Sequence, residues 1–206
     1  TGLSTSAFFD EIRLAAERGV KVRVLMDGKA SIIRPEVTRM IRALASHPNI
    51  ECRYYNPFQL MKPWKWHFLM HDKFIVVDGQ YLLLGGRNIG DKFFAPDSYT
   101  GKVSNDRDVI VWRQQEAMEG GASVLCQVEA YFDTLWQCDD SKPFSLLRDG
   151  KARQGRKIAK LHAESIQFRL QNPAYYAVPL ASFLARPWAT RKITLFLHPD
   201  AAPWTG

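Results

Sequence analysis

The chain has 206 residues, of which 46% are hydrophobic and 24% charged. This composition is ordinary for a globular protein and excludes a chain that is disordered over its whole length. No run approaches the roughly 18 apolar residues of a transmembrane helix, and Thr1 opens no charged-then-apolar signal peptide, so we expect neither in these residues. The net charge of +7 is uneven: residues 1–140 hold 17 Lys and Arg against 18 Asp and Glu, and residues 141–206 hold 11 against 3. The positive excess lies in the final segment, so nucleic acid is the less favoured partner for the rest.

The first elements alternate between helix and strand. Residues 5–18 have the periodicity of an amphipathic helix that Ser4 or Thr5 can cap, and a second helix is opened by Pro35. Residues 20–26 alternate between apolar and charged side chains and then become wholly apolar, as a strand entering a buried sheet would, and residues 50–55 are predicted as the next strand. This order predicts an α/β fold with a mixed β-sheet flanked by helices.

A loop rich in proline and in large apolar groups follows, at residues 56–68. Trp64 and Trp66 flank Lys65 there, a pattern that suits a membrane interface or a groove for lipid chains. The alternative is that these aromatic side chains cover a sheet edge or meet a partner domain. The sequence favours neither reading over the other.

The next stretch, residues 71–88, carries the strongest pattern in the chain. Its polar and glycine positions read H-x-K, four residues, D, six residues, G-G-x-N, and they are His71, Lys73, Asp78, Gly85, Gly86 and Asn88. Two apolar runs, residues 74–77 and 81–84, flank the Asp78-Gly79 pair, which predicts a β-hairpin because glycine accepts the positive φ of such turns.

The hairpin predicts a site for a phosphate group. His71 and Lys73 are two residues apart, so on one strand both side chains would leave from the same face. Gly85 and Gly86 lack side chains that would keep an anion from the backbone N–H groups, and Asn88 adds an amide donor.

The motif resembles the HKD signature of the phospholipase D superfamily, with every position of the long form filled. The continuation over residues 87–94, Arg-Asn-Ile-Gly-Asp-Lys-Phe-Phe, is similar to bacterial cardiolipin synthases and their phospholipase-D-like relatives. The resemblance covers about residues 1 to 140. It implies an α/β sandwich in which two motif-bearing halves complete one site.

The resemblance also implies roles for single residues. His71 matches the nucleophile that forms a phosphohistidine, while the histidine of a second motif protonates the leaving oxygen. Lys73 and Asn88 match the residues that hold the phosphate oxygens, with Gly85 and Gly86 beside them.

Two kinds of acidic residue complete the implied site. Asp78 matches the motif aspartate, whose role is to brace the hairpin. Asp108, or alternatively Asp106, matches the carboxylate that orients the nucleophilic histidine by fixing its tautomer.

We expect no metal and no cofactor. His67 precedes His71 by four residues, but on a strand their side chains would be about 13 Å apart along the axis. Cys52, Cys126 and Cys138 are an odd number without metal-ligand spacing, so they predict neither a disulfide framework nor a zinc site.

The remaining residues predict the end of one half and the beginning of another. A strand opens at Asp108 and a long helix covers residues 117–136, which closes a catalytic half at residues 1–140. Residues 141–190 read as a basic linker with a helix at 158–170, and residues 191–206 as the first strand of a truncated second half.

The expected function is that of a phospholipase D-type phosphatidyltransferase, similar to cardiolipin synthases, acting on a phospholipid such as phosphatidylglycerol. We expect attachment to the surface of the bacterial cytoplasmic membrane and a second HKD half from the same full-length chain or from a homodimer partner. Two alternatives stay open: a single-motif phosphodiesterase or nuclease that dimerises, and a non-catalytic binding half. The sequence does not distinguish transfer from hydrolysis.

Overall fold

A computed structural model describes residues 2–29, 35–113, 123–144 and 151–177, and it confirms the α/β class. The helices are α1 Leu3–Glu17, α2 Pro35–Leu44, α3 Asp91–Phe94, α4 Val124–Gln137, α5 Lys151–Gln171 and α6 Ala174–Ala177, with a turn of 3₁₀ helix at Pro63–His67. The strands are β1 Val22–Asp27, β2 Ile50–Tyr55, β3 Phe74–Val77, β4 Tyr81–Gly85, β5 Asp108–Trp112 and β6 Ser141–Pro143.

The strands form two three-stranded sheets, in the orders β1-β2-β6 and β3-β4-β5. The first sheet is mixed, because β1 is parallel to β2 and β6 is antiparallel to β2. The second sheet is wholly antiparallel. The prediction of one mixed sheet therefore holds for the first strands, while the hairpin and the Asp108 strand form a sheet of their own. Strand patterns indicate which segments are extended and do not by themselves indicate which strands pair.

The chain divides into two compact units. Among the described residues, the first unit comprises 2–29, 35–71, 88–105, 139–144 and 151–177. Its core contains Phe9, Ala16, Ile41, Leu44, Ile50, Cys52 and Leu161, contributed by α1, α2, the first sheet and α5. The second unit comprises 72–87, 106–113 and 123–138, and its core is Leu82 of β4 with Leu125 and Val128 of α4.

The domain boundary predicted near residue 140 does not match this structure. β6 pairs with β2, and the ladder continues through a hydrogen bond from Phe144 N to Cys52 O of 3.0 Å. Leu161 of α5 lies in the core of the first unit. The residues around β6 are polar and include a proline, a composition that is typical of a linker. They form a strand nevertheless, because hydrogen bonding between main chains does not require apolar side chains. The predicted helix at 158–170 is confirmed within α5, whereas the predicted strand at 191–206 lies outside the described residues.

A buried charge network joins α1 to α5. Asp10 is fully buried, and its carboxylate accepts from Arg13 Nε at 2.7 Å and lies 2.9 Å from His162 Nδ1. Burial alone would raise the pKa of Asp10, but the hydrogen bonds from His162 and Arg13 and the charge of Arg13 outweigh it and hold the pKa below its ordinary value. The ionised carboxylate is therefore the form that the folded unit favours.

The N-terminus of α1 is capped by a side chain from a distant part of the chain. The backbone N–H groups of Leu3 and Ser4 donate to the Asp91 carboxylate at 3.1 and 2.8 Å. Gly2 stands beside that carboxylate, and a Cβ there would come within 2.2 Å of Asp91 Cγ. The helix thus begins before the predicted caps Ser4 and Thr5, because a carboxylate satisfies the free N–H groups and complements the helix dipole.

Replacing Asp91 with alanine removes this cap, so we expect the unfolding free energy to fall by about 1 kcal/mol. Chemical denaturation followed by circular dichroism measures the change. Asp97→Ala is the matched control, since Asp97 is an exposed carboxylate six residues later. An equal loss in both variants would contradict the capping role.

Candidate functional site

The motif hairpin is present as predicted. Phe74 pairs with Leu84 and Val77 with Tyr81. The turn has positive φ at both Asp78 (51°) and Gly79 (61°), and Gln80 N donates to Val77 O at 3.0 Å. These left-handed conformations are accessible to Asp and Gly, which is why this pair can close the turn.

Successive side chains along β3 leave from opposite faces of the second sheet. Phe74 and Val76 pack toward the core that includes α4, while Ile75 and Val77 are exposed. The Gly85 N–H donates to Lys73 O at 3.2 Å, which carries the pairing one residue beyond the strand. By this alternation Lys73 leaves from the face opposite α4.

Asp72 occupies the variable position of H-x-K and leaves from the α4 side. Its carboxylate accepts a hydrogen bond of 2.6 Å from Tyr131 Oη of α4. The motif does not constrain this position, so sequence reasoning missed the contact. It ties the start of the hairpin to the helix that packs beneath the second sheet.

The ammonium of Lys73 lies in a partly desolvated place. Desolvation lowers the pKa of Lys73, and the charges of Asp72 and Asp106 oppose that shift. The structure therefore brings Asp106, the alternative acidic residue, into the electrostatic environment of Lys73.

The paired glycines make room for carboxylates. A Cβ on Gly85 would lie 1.9 Å from Asp108 Oδ1, and a Cβ on Gly86 would lie 2.8 Å from Asp106 Oδ2. Gly85 and Asp108 are cross-strand partners in the second sheet. The N–H of Gly85 donates to Lys73 O within the hairpin. The absence of side chains at Gly85 and Gly86 therefore has a steric role, because it leaves room for the two carboxylates. Phosphate binding by Gly85 and Gly86 stays a prediction.

Asp108 is held by an arginine that sequence reasoning did not assign. Arg87 Nε lies 2.8 Å from Asp108 Oδ2, and Arg87 Nη2 donates to Asp106 O at 2.9 Å. Arg87 fills the variable position of G-G-x-N, so the fixed spacing gave no signal for it. The orientation of His71 by Asp108 stays a prediction.

His71 and Asn88 belong to the first unit, at the points where the chain leaves it and returns to it. Both are exposed. β3 begins at Phe74, so the prediction that His71 and Lys73 lie on one strand is wrong: His71 precedes β3 by three residues and Lys73 by one. Asn88 is followed by Ile89, whose carbonyl oxygen accepts a 3.4 Å hydrogen bond from Thr5 Oγ1. The catalytic roles of His71, Lys73 and Asn88 stay predictions.

A cavity of about 290 Å³ lies at the other end of the hairpin. It is lined by Asp78, Gly79, Gln80, Arg113, Cys126 and Glu129. Hydrogen bonds with Ser123 and Arg113 lower the pKa of the Cys126 thiol there. The turn is five residues from Lys73, or about 16 Å along the strand, so this cavity is separate from the phosphate-binding lysine.

The described residues contain neither a metal-binding cluster nor a membrane-spanning helix. No group of three or more His, Cys, Asp or Glu side chains in these ranges is arranged to hold a metal ion. No helix in the same ranges is both long and apolar enough to cross a bilayer.

Comparison with known proteins identifies the family to which the chain belongs. The family described as cardiolipin synthase, PLD-like domain, matches residues 2–136. Cardiolipin synthase C of Escherichia coli K12 is 40% identical over 156 residues, which cover 71% of this chain and 30% of that protein. Uncharacterized proteins of two Helicobacter pylori strains are 30% identical over 197 residues, or 89% of this chain and 36% of theirs.

The chain spans about a third of the length of the curated relatives it matches. The family match includes α1, the first two strands of the first sheet and the whole motif hairpin. With its α/β fold and its complete HKD hairpin, the chain belongs to the phospholipase D-like domains of the cardiolipin synthase family.

Proposed function

We propose that this chain is the part of a phospholipase D-type phosphatidyltransferase that supplies one HKD motif, with phosphatidylglycerol or a related phospholipid as substrate. The observation that carries the proposal is the complete motif, from His71 through Asn88, in a chain that is 40% identical to a cardiolipin synthase over 156 residues. A six-position match at fixed spacing is far more specific than a lone histidine beside a strand.

The reaction proceeds in two displacements on phosphorus. A ring nitrogen of His71 attacks the phosphodiester, the N–P bond forms, and the P–O bond to the first alcohol breaks. A proton from a second group, the histidine of another motif, neutralises the leaving oxygen. A second alcohol then attacks the phosphohistidine, releases His71 and gives the new diester; water in its place gives hydrolysis.

Lys73 and Asn88 supply positive charge and a hydrogen-bond donor to the phosphoryl oxygens. Charge on these oxygens increases as the nucleophile arrives, so a fixed ammonium beside them lowers the barrier. Desolvation lowers the pKa of Lys73, and the charges of Asp72 and Asp106 oppose that shift and so favour the protonated lysine, which is the form this role needs. Asp78 acts through the turn, where its left-handed backbone helps to close the hairpin.

The test uses the full-length protein and vesicles that contain phosphatidylglycerol labelled in the headgroup. We expect release of free glycerol and formation of cardiolipin, with phosphatidic acid as the product when water replaces the second alcohol. Thin-layer chromatography and mass spectrometry separate these products. Cleavage of DNA or of a simple phosphodiester without any lipid product would favour the nuclease alternative, and inactivity on every substrate would favour a non-catalytic half.

A further inference from the structure

The loop between β2 and β3 displays large apolar side chains to solvent. The exposed fractions are 73% for Leu60, 85% for Met61, 63% for Trp64 and 63% for Leu69. Each of these groups costs free energy in water, and several of them on one loop indicate an interaction surface. We call residues 57–70 the apolar loop.

Polar contacts at its base anchor the apolar loop to the rest of the first unit. Asn56 is buried with a left-handed backbone (φ 45°), and its Nδ2 donates to Lys65 O at 2.7 Å and to Phe68 O at 3.0 Å. Met70 N donates to Asp27 Oδ2 at 2.8 Å. These hydrogen bonds hold the backbone of the loop in place, and the positions of its outward side chains therefore follow from the fold.

Contacts inside the loop fix the positions of several of its side chains. Trp66 Nε1 donates to Gln59 O at 2.9 Å, and the Trp66 ring stacks on Phe58 with ring centroids 5.1 Å apart. Lys65 Nζ pairs with Asp140 at 2.5 Å. The groups that point outward are the apolar tips together with two polar side chains, Lys62 and His67, which are both exposed.

The charge of the apolar loop indicates that its partner is an anionic surface. Residues 57–71 include Lys62 and Lys65 and contain no Asp or Glu. Exposed Trp and Leu side chains beside lysine suit the boundary between lipid headgroups and acyl chains, where the lysine meets lipid phosphates. A second copy of the same loop would instead bring positive charge against positive charge.

We propose that the apolar loop inserts into the headgroup region of an anionic phospholipid bilayer and holds the protein at the membrane surface. This inference rests on the proposed function and extends it. Leu69 is two residues before His71, a distance of at most about 7 Å along the chain. Interfacial segments penetrate about 5 to 10 Å, so insertion of Leu69 brings His71 to the depth of the lipid phosphates.

The test measures binding of the full-length protein to vesicles by flotation. One vesicle preparation contains equal amounts of phosphatidylglycerol and phosphatidylcholine, and the other contains phosphatidylcholine alone. We expect tighter binding to the first, and we expect Leu60→Ser with Met61→Ser to weaken that binding by about tenfold or more. Lys62→Gln should weaken it by about fivefold, the effect of removing one cation from an anionic surface.

Leu170→Ser is the matched control, because Leu170 is 76% exposed on α5 of the same unit and is not part of the loop. It should leave vesicle binding unchanged. Brominated phosphatidylcholine gives a second measurement: it should quench the tryptophan fluorescence of the wild type, and the quenching should fall when Trp64 and Trp66 are both replaced by Phe. Equal binding by wild type and the Leu60/Met61 double variant would overturn the proposal, as would a change in oligomeric state without a change in binding.

Activity separates failure of this inference from failure of the proposed function. Phospholipid turnover is measured on vesicles and on a short-chain, monomeric phosphatidylglycerol. If the loop acts as proposed, the ratio of vesicle turnover to monomer turnover falls about tenfold in the Leu60/Met61 double variant. An unchanged ratio overturns the membrane role while leaving the enzyme intact, whereas a wild type that turns over neither substrate overturns the proposed function.

Discussion

Replacing His71 with alanine in the full-length protein is expected to lower phosphatidyl transfer by about a thousandfold or more, because removal of a covalent nucleophile typically costs several powers of ten. The fold should persist. His71 is exposed and lies outside the strands, so its loss removes little packing. Initial rates on phosphatidylglycerol vesicles and chemical unfolding of the same preparations measure the two quantities together.

His47→Ala is the control for the loss of an imidazole elsewhere on the first unit, because His47 lies outside the motif and should be dispensable. Intact-mass analysis of a rapidly quenched reaction adds a direct measurement, since the wild type should carry a phosphatidyl adduct that the His71 variant lacks. Residual turnover above about one per cent of the wild-type value would rule out His71 as the nucleophile.

Replacing Asp10 with asparagine is expected to cost about 3 kcal/mol of unfolding free energy. Asparagine keeps the shape of the side chain, but it leaves the buried Arg13 guanidinium without the carboxylate that lies 2.7 Å from it. Glu11→Gln is the matched control: Glu11 also joins α1 to α5, through Arg169, but both side chains are about half exposed. Such a surface pair should contribute less than about 1 kcal/mol.

The Asp10 variant should also change how stability depends on pH. The folded-state pKa of Asp10 lies below its ordinary value of 3.8, so the folded protein binds this proton less readily than the unfolded chain. The stabilisation is therefore fully present above about pH 4 and is lost as the pH falls through the folded-state pKa. Urea denaturation between pH 6 and pH 3 should show a smaller fall for Asp10→Asn than for the wild type. Parallel curves would show that another group carries the acid sensitivity.

The parts of the fold that sequence predicted well are those that depend on local physics. β2 and β3 coincide with the predicted strands because the alternating residues of β2 and the apolar run of β3 are each bounded by turn residues. The Asp78-Gly79 turn followed from the conformations that only a few residue types adopt without strain. No long-range contact was needed for either inference.

The features that sequence did not predict depend on partners far along the chain. β6 is three residues long and has no apolar pattern, so its place beside β2 follows from backbone hydrogen bonds alone. Asp10 meets a histidine 152 residues away, and Asp91 caps a helix that begins 88 residues earlier. An isolated sequence contains no signal that selects these partners among many equivalent side chains.

The residues of the candidate site also divide into those that local sequence predicted and those that depend on tertiary contacts. Spacing identified Lys73, and the family resemblance implied that Asp108, or alternatively Asp106, belongs to the site; β5, which begins at Asp108, pairs with the hairpin strand β4. Arg87 was missed because it occupies a position that the motif leaves variable, and Tyr131 because it lies on α4, outside the motif. A carboxylate can pair with an arginine as readily as with a histidine, and only the tertiary structure shows that Arg87 contacts Asp108.

The return of β6 and α5 to the first unit has a consequence for how the protein is made. During synthesis β1 and β2 emerge early, but the strand that completes their sheet and the helix that supplies Leu161 to their core emerge about 90 residues after β2. The described part of the second unit, the β3-β4-β5 sheet with α4, lies between residues 72 and 138, so on the ribosome this sheet and helix can form before the first unit is complete. A nascent chain halted soon after α4 should accordingly protect β4 from proteolysis and leave β2 open to it.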